Sequence, residues 1–232
     1  MTVLTTIQGA AAYLGISIPT FVTGSTEREH VELTEIANEA AQDIAEYHDW
    51  QSLKNLARID GDGVTSSFAL PSNYDRMPKK QSLWSTTQES PLTHVQSHDD
   101  WLEIDIRDYG IVVGAWTLLG GNVEIKPTPD DGEFIKYYFQ SRDIITTTLS
   151  DKTKITLDAD SFDIFPKSER VLKLAIIWRW RALKGLDYAE DLNNYETALG
   201  LAAMRDGGSK MLVSGNARSS GIRTAYPQAI IP

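Results

Sequence analysis

Apolar positions near the start of the chain recur at helical spacing. Residues 5–14 are rich in Ala with Ile7 and Leu14, and Gly15 closes them, so they predict a short helix. Residues 16–23 hold Pro19 and lead to Gly24, which predicts a linker. Thr26-Glu27-Arg28-Glu29 then fits a capping box, with the hydroxyl of Thr26 at the N-cap and a carboxylate three residues on. Behind it Leu33, Ile36, Ala37, Ala40, Ile44 and Tyr47 mark the buried face of a second helix that ends near residues 48–50. Its opposite face carries Glu32, Glu35, Glu39, Asp43 and Glu46.

The period then changes to two. Residues 56–60 predict a strand, Gly61-Asp62-Gly63 a turn, and residues 65–70 the returning strand, closed by Pro71. Residues 80–84 predict another strand, and Ser97 can cap a short helix through residues 98–102. The strongest hairpin spans residues 115–127. Trp116 and Leu118 alternate with small or polar neighbours, Gly120-Gly121 makes the turn, and Val123 and Ile125 return on one face. Residues 133–140 are dense in aromatic and β-branched side chains, as strands prefer. Residues 153–157 predict a last strand, so residues 54–165 read as a β-rich unit.

Helices resume after Pro166. Ser168 is placed to cap one that Gly185 stops, and Asp187 to cap another that Gly207-Gly208 stops. The last helix shows one apolar stripe of Tyr188, Leu192, Tyr195 and Leu199. The helix before it shows two: Val171, Leu174, Ala175 and Trp178 on one side, Leu172, Ile176, Trp180 and Leu183 on the other. A helix apolar on two sides is buried on two sides, and a neighbouring subunit is one way to cover the second. Residues 207–232 contain no Asp or Glu, while Lys210, Arg218 and Arg223 give them positive charge. They are too poor in apolar side chains to fold alone and read as an arm that orders on a partner. The expectation is an α+β chain. A helical body of residues 1–53 and 166–206 holds a β-rich insertion of residues 54–165 and ends in an extended arm of residues 207–232.

Composition narrows the function classes. The 232 residues carry a net charge of −10, which opposes a general DNA-gripping role, since that needs clustered Lys and Arg. An acidic lining that lets duplex DNA pass without holding it remains compatible. With no cysteine, disulfides, thiol nucleophiles and thiolate metal sites are excluded. No apolar run approaches a membrane span, and the first residues lack the basic start of a secretion signal, so no membrane association is expected.

Candidate chemistry is sparse. His94 and His98 stand four apart beside Asp99 and Asp100, but Pro91 and Thr93 make the approach extended, so no metal site is assigned. Asp49, Asp60, Asp62, Asp130 and Asp131 fall in turn contexts, where Asp bonds local backbone. No phosphate-loop or GxSxG pattern occurs. Neither a cofactor nor a catalytic residue is assigned. The aromatic group Trp178, Trp180, Tyr137, Tyr138 and Phe139 reads as core rather than as a stacking platform for bases.

Four stretches in one order resemble the head-to-tail adaptor (connector) proteins of tailed bacteriophages, of the short-tailed or prophage type. They are EAAQDIAEYHDWQS (residues 39–52), GDGVTSSFALPSNYDRM (61–77), GAWTLLGGNVEIKP (114–127) and LKLAIIWRWRALKGLDYAED (172–191). The resemblance implies a non-enzymatic virion subunit at the head–tail neck, assembled in the host cytoplasm. It implies a homo-oligomeric, dodecameric ring beneath the portal protein, which seals the packaged head, receives a tail or nozzle protein and lets duplex DNA leave. Beside it, residue chemistry makes Arg218, Ile222, Arg223, Tyr226, Ile230 and Ile231 candidate arm contacts to the portal. Arg179, Trp180 and Arg181 become candidates for the subunit interface, with the two arginines in ion pairs between subunits. Glu32, Glu35, Glu39 and Asp43 become candidates for a channel-facing acidic surface. Two other readings remain: a tail-tube or baseplate subunit, and a tail-associated hydrolase of polysaccharide or cell wall, which needs two facing carboxylates.

Overall fold

The computed structural model describes residues 2–78, 81–107, 114–146, 152–164 and 168–207. The chain is α+β, with five helices and mixed sheets among the described residues.

Helix α1 spans Val3–Leu14 and starts earlier than the Ala-rich pattern suggests. Thr2 and Thr5 form a reciprocal capping box at its head, and Gly15 ends it in the left-handed region at φ 71°. Helix α2 spans Arg28–Tyr47, one residue later than the Thr26 box predicts. Ser25 supplies the local bonding instead: its Oγ accepts from the Glu27 amide at 3.3 Å and lies 3.0 Å from His30 Nδ1. Leu33, Ile36, Ala37, Ala40 and Ile44 are buried as expected, whereas Tyr47 is exposed. A 3-10 turn over Gln51–Leu53 follows, with Trp50 fully buried and its Nε1 donating to Ile44 O at 2.7 Å.

Two sheets form the insertion. Strands β1 (Lys54–Asp60), β2 (Ser67–Ala69), β3 (Tyr74–Arg76), β4 (Trp84–Ser85), β5 (Ser90–Pro91) and β6 (Thr93–His94) are followed by helix α3 (His98–Arg107). The Ser97 Oγ accepts from the Asp100 amide at 3.3 Å, as its capping position predicts. The hairpin β7 (Ala115–Leu119) and β8 (Asn122–Lys126) pairs Trp116 with Ile125 and Leu118 with Val123. Strand β9 (Phe134–Ser141) completes the set. One sheet runs β1-β9-β4-β5, with β3 also on β9; the other runs β2-β8-β7-β6. They share one core of Ala57, Ile59, Leu83, Leu92, Trp116, Val123, Ile125, Ile135, Tyr137 and Phe139, so they pack face to face.

One expected pairing changes. The strand after Gly61-Asp62-Gly63 does not return along β1 but pairs with β8, with Phe68 opposite Val123. The Asp62 carboxylate accepts from the amides of Val64 and Thr65 at 2.9 and 2.6 Å and turns the chain away. The β1 ladder goes to β9 over all seven residues. Residues 79 and 80 lie outside the described residues; of the strand expected over 80–84, only Trp84 enters a described pairing.

Short strands β10 (Ile145–Thr146), β11 (Lys152–Lys154) and β12 (Asp163–Ile164) form a third sheet. Its Ile145 and Ile164, with Ile144, Leu157 and Phe162, join the helical core rather than that of the insertion. The packing boundary therefore falls near Ser141, not at Phe165 as the period change suggests. Helix α4 (Glu169–Leu183) follows Ser168, whose side chain makes no cap bond. Helix α5 (Ala189–Asp206) begins after Asp187, whose Oδ1 accepts from the Ala189 amide at 3.2 Å.

Helix α4 is the centre of the body and packs on α1, α2 and α5. Most of its two apolar sides is covered within the chain: Val171, Leu172, Ala175, Ile176, Ile177 and Trp180 are buried and Leu174 and Trp178 partly so, whereas Leu183, at the end of the second side, is 60% exposed. Helices α1, α2 and α5 of the same chain thus supply most of the cover that the sequence left open to a neighbouring subunit.

Candidate functional site

The arginines assigned to a subunit interface are engaged inside the chain. Arg179 reaches back to α2, donating to Glu39 Oε2 at 3.1 Å and pairing with Asp43. Arg181 donates to Asp191 Oδ2 at 2.6 Å, which joins α4 to α5. Trp180 is 4% exposed and belongs to the helical core. Both arginines, expected in ion pairs between subunits, thus have an acidic partner within the chain, Arg179 on α2 and Arg181 on α5.

That contact also changes the acidic face. Glu32 accepts from Lys184 at 2.5 Å and from Arg28 at 2.7 Å, and those two bonds lower its carboxyl below the ordinary range. Glu39 and Asp43 share Arg179. Glu35 is exposed. The face is therefore a charge-balanced seam along α4 bordered by acids, not an uninterrupted acidic lining.

The histidine pair separates. His94 lies on β6 and stacks on Trp116 with ring centroids 4.1 Å apart, and burial lowers its pKa. His98 starts α3, its Nε2 3.3 Å from Leu118 O. A cleft of about 680 Å³ opens beside His94, lined also by Ser97, Asp100 and Glu103, and His98 does not line it. Among the described residues no three His, Asp or Glu side chains converge to hold a metal ion, and no helix is long and apolar enough to cross a membrane. The aromatic group divides between two cores. Tyr137 and Phe139 are buried in the insertion, where burial pushes the Tyr137 hydroxyl up to about 12. Trp180 is buried in the body, and Tyr138 is 45% exposed.

Two features escaped the sequence reading. The first is Arg76, in the Tyr-Asp-Arg element of the second resembling stretch. From β3 it reaches the C-terminus of α2, donating to the carbonyls of His48 at 3.1 Å, Ala45 at 3.4 Å and Glu46 at 3.5 Å. It also bonds Asp49 at 3.3 Å and Asp75 at 2.5 Å. A guanidinium at a helix C-terminus meets carbonyls that lack helical partners and the negative end of the dipole. It thus fastens the insertion to the body. The second is the outer face of the β1–β9–β4 sheet. Leu56 stands opposite Tyr138, Arg58 opposite Lys136, and Trp84 opposite Lys136 from the other side. Leu56, Trp84 and Tyr138 are each about half exposed, at 56%, 53% and 45%. They border a cleft of about 330 Å³. Arg58 and Lys136 sit over the Phe134 ring at 4.3 and 4.9 Å. An exposed apolar surface with Trp, Tyr and Arg has the make-up of a protein interface. Alternation in residues 134–140 carried the signal, because Phe134 and Tyr138 put aromatic rings on the face opposite the core.

The portal-contact candidates Arg218, Ile222, Arg223, Tyr226, Ile230 and Ile231 lie outside the described residues. No family model and no curated protein matches the chain.

Proposed function

We propose that this protein is a structural head-to-tail adaptor of a tailed bacteriophage virion, acting mechanically and not as an enzyme. The observation that carries the reading is where the four resembling stretches fall. Residues 39–52 run through the second half of α2 and its 3-10 turn up to the start of β1. Residues 61–77 bring β2 and Arg76 across to the end of α2. Residues 114–127 are the β7–β8 hairpin, and residues 172–191 carry α4 into α5. Together they build a helical body from both chain ends and an insertion clamped to it. In this reading a dodecameric ring of such subunits sits beneath the portal protein, the arm of residues 207–232 lies along the portal, and a tail or nozzle protein binds the far side. Duplex DNA passes through the ring without sequence-specific contact, and the acids bordering the α2 seam, Glu35 among them, are candidates for its lining.

The test mixes the purified chain with portal rings from the same genome and examines them by electron microscopy and co-sedimentation. An added ring of density on the portal is the expected result. Portal rings left unaltered and unbound at high protein concentration would overturn the proposal.

A further inference from the structure

Among the described residues, strand β1 has a partner on one side only. Its ladder to β9 continues into the bond from the Gly61 amide to Glu133 O at 2.8 Å, so Gly61 and, by alternation, Ile59 and Ala57 point their backbone groups at β9. Lys54, Leu56, Arg58 and Asp60 therefore aim theirs at the opposite edge, where no described strand pairs with them. A row of open amides and carbonyls is a template for one more strand. The side chains of Leu56, Arg58 and Asp60 are exposed, so the described residues leave this edge uncovered.

The charges along β1 point to its occupant. The strand opens on the cation Lys54 and closes on the acid Asp60, and an antiparallel copy reverses that order. In the register that overlaps all seven residues, Lys54 lies opposite Asp60 of the second copy at both ends, and Ala57 meets Ala57 at a twofold axis. This register sets the open backbone groups of Lys54, Leu56, Arg58 and Asp60 against the same groups of the copy, as hydrogen-bonded pairs require. A slip of one residue would set them against groups already bonded to β9. A slip of two residues places Arg58 opposite Arg58 in one direction and Lys54 opposite Arg58 in the other, and like charges directly opposite are destabilising. Asp60 holds Arg58 of its own chain through Oδ1 at 2.5 Å, which leaves Oδ2 for a cation across the edge. Exposed Leu56 would lie against the aliphatic stem of Arg58 of the copy.

We propose that two copies of this chain pair in solution through the open edges of β1, antiparallel about a twofold axis at Ala57, with Lys54 against Asp60 at each end. The sheet of β1 and β9 then continues from one copy into the other. The pairing goes beyond the adaptor reading and does not rest on it. An edge pair of this kind closes at two copies, so it is a contact of the free protein and would not itself build a ring.

Sedimentation velocity and amide hydrogen exchange on the full-length chain, over a dilution series from millimolar concentration, test the proposal. The concentrated protein should have twice the mass of one chain. Its Leu56, Arg58 and Asp60 amides should exchange at least about tenfold more slowly than in the dilute protein, while those of Ala57 and Ile59, bonded to β9, stay equal. A monomer mass with fast exchange at the three edge amides throughout the series would overturn the proposal. Protection unchanged by dilution would also overturn it, since it would assign the edge to another part of the same chain. Asp60→Lys, at an exposed position, should weaken the pairing at least about tenfold, and Lys54→Asp added to it should restore the pairing by exchanging the two charges. Pairing that the single variant leaves unchanged, or that the exchanged pair does not recover, would overturn the proposed contact.

Discussion

Arg181, in the last turn of α4, donates to the Asp191 carboxylate in the first turn of α5 at 2.6 Å, and the Asp191 side chain is only 4% exposed. A carboxylate taken out of water needs its cation more than an exposed one does. The pair also fixes the reversal through Gly185, which sits at φ 68° between the two helices. Arg181→Ala should lower unfolding free energy by about 3 kcal/mol, because it strands a buried charge. Asp191→Asn should cost less, since the amide is neutral. Urea denaturation followed by circular dichroism measures both, and equal losses would refute the buried-charge explanation.

At the turn after β1, Gly61 has no room for a side chain. A Cβ there would stand 2.3 Å from Asp130 O and 2.8 Å from Pro129 O. Both are backbone atoms and cannot swing aside. Gly61→Ala should therefore destabilise by about 2 kcal/mol or more. Gly120→Ala is a useful contrast: its Cβ would meet open space, and its cost comes only from φ 58°.

Asp62 offers a pH test within the same turn. The Thr65 hydroxyl, then the Thr65 and Val64 amides, bond its carboxylate and lower its pKa to about 2. A depressed acid stabilises the fold above its unfolded value, and that contribution is lost as pH falls through about 2. Thr65→Val should move the Asp62 titration, followed by carboxyl NMR, up towards the ordinary Asp range.

Asp160 does related work beside the helical body. Burial opposes its charge, but bonds from Thr23 and Val22 prevail and lower its pKa. Its Oδ1 accepts from the Val22 and Thr23 amides at 3.0 and 2.8 Å and pins the linker after α1. The midpoint difference between the native chain and Asp160→Asn should be full near neutrality. It should close as pH drops below the ordinary Asp value and through the folded one. A difference that persisted at low pH would assign the effect to packing instead.

Arg76 makes the last prediction. Arg76→Lys should not restore what Arg76→Ala loses, about 1–2 kcal/mol, because one ammonium cannot serve three carbonyls and two carboxylates at once. Calorimetry on both variants decides it, and a fully stable lysine form would count against the clamp.

Much of the architecture was legible because its signals are local. Gly15, the alternation around Gly120-Gly121 and the stripe of Leu33, Ile36, Ala37, Ala40 and Ile44 each act within a few residues. What the sequence hid was who pairs with whom. A period-two run such as residues 65–70 says that a sheet exists, not that Phe68 will face Val123. The two-sided face of α4 likewise announced burial without naming its cover, and α1, α2 and α5 of the same chain provide it. The sequence suggested Arg179 for a subunit interface and did not show its pairing with Glu39 and Asp43, more than a hundred residues upstream.

The central place of α4 imposes an order on synthesis. Helices α1 and α2 leave the ribosome well before α4, carrying apolar stripes that are covered chiefly by this helix made after the entire insertion. The nascent chain must hold Ile7, Leu33 and Ile44 without their final neighbours while both sheets emerge and pair. Loop closure across that distance is slow, and exposed stripes invite wrong partners in the interval. An insertion that folds early brings residues 54 and 140 together, since Lys54 pairs with Gln140, and so shortens the remaining loop. The β-rich unit thus serves the body as a hairpin on the scale of a domain, whose closure brings the two halves of the helical body together.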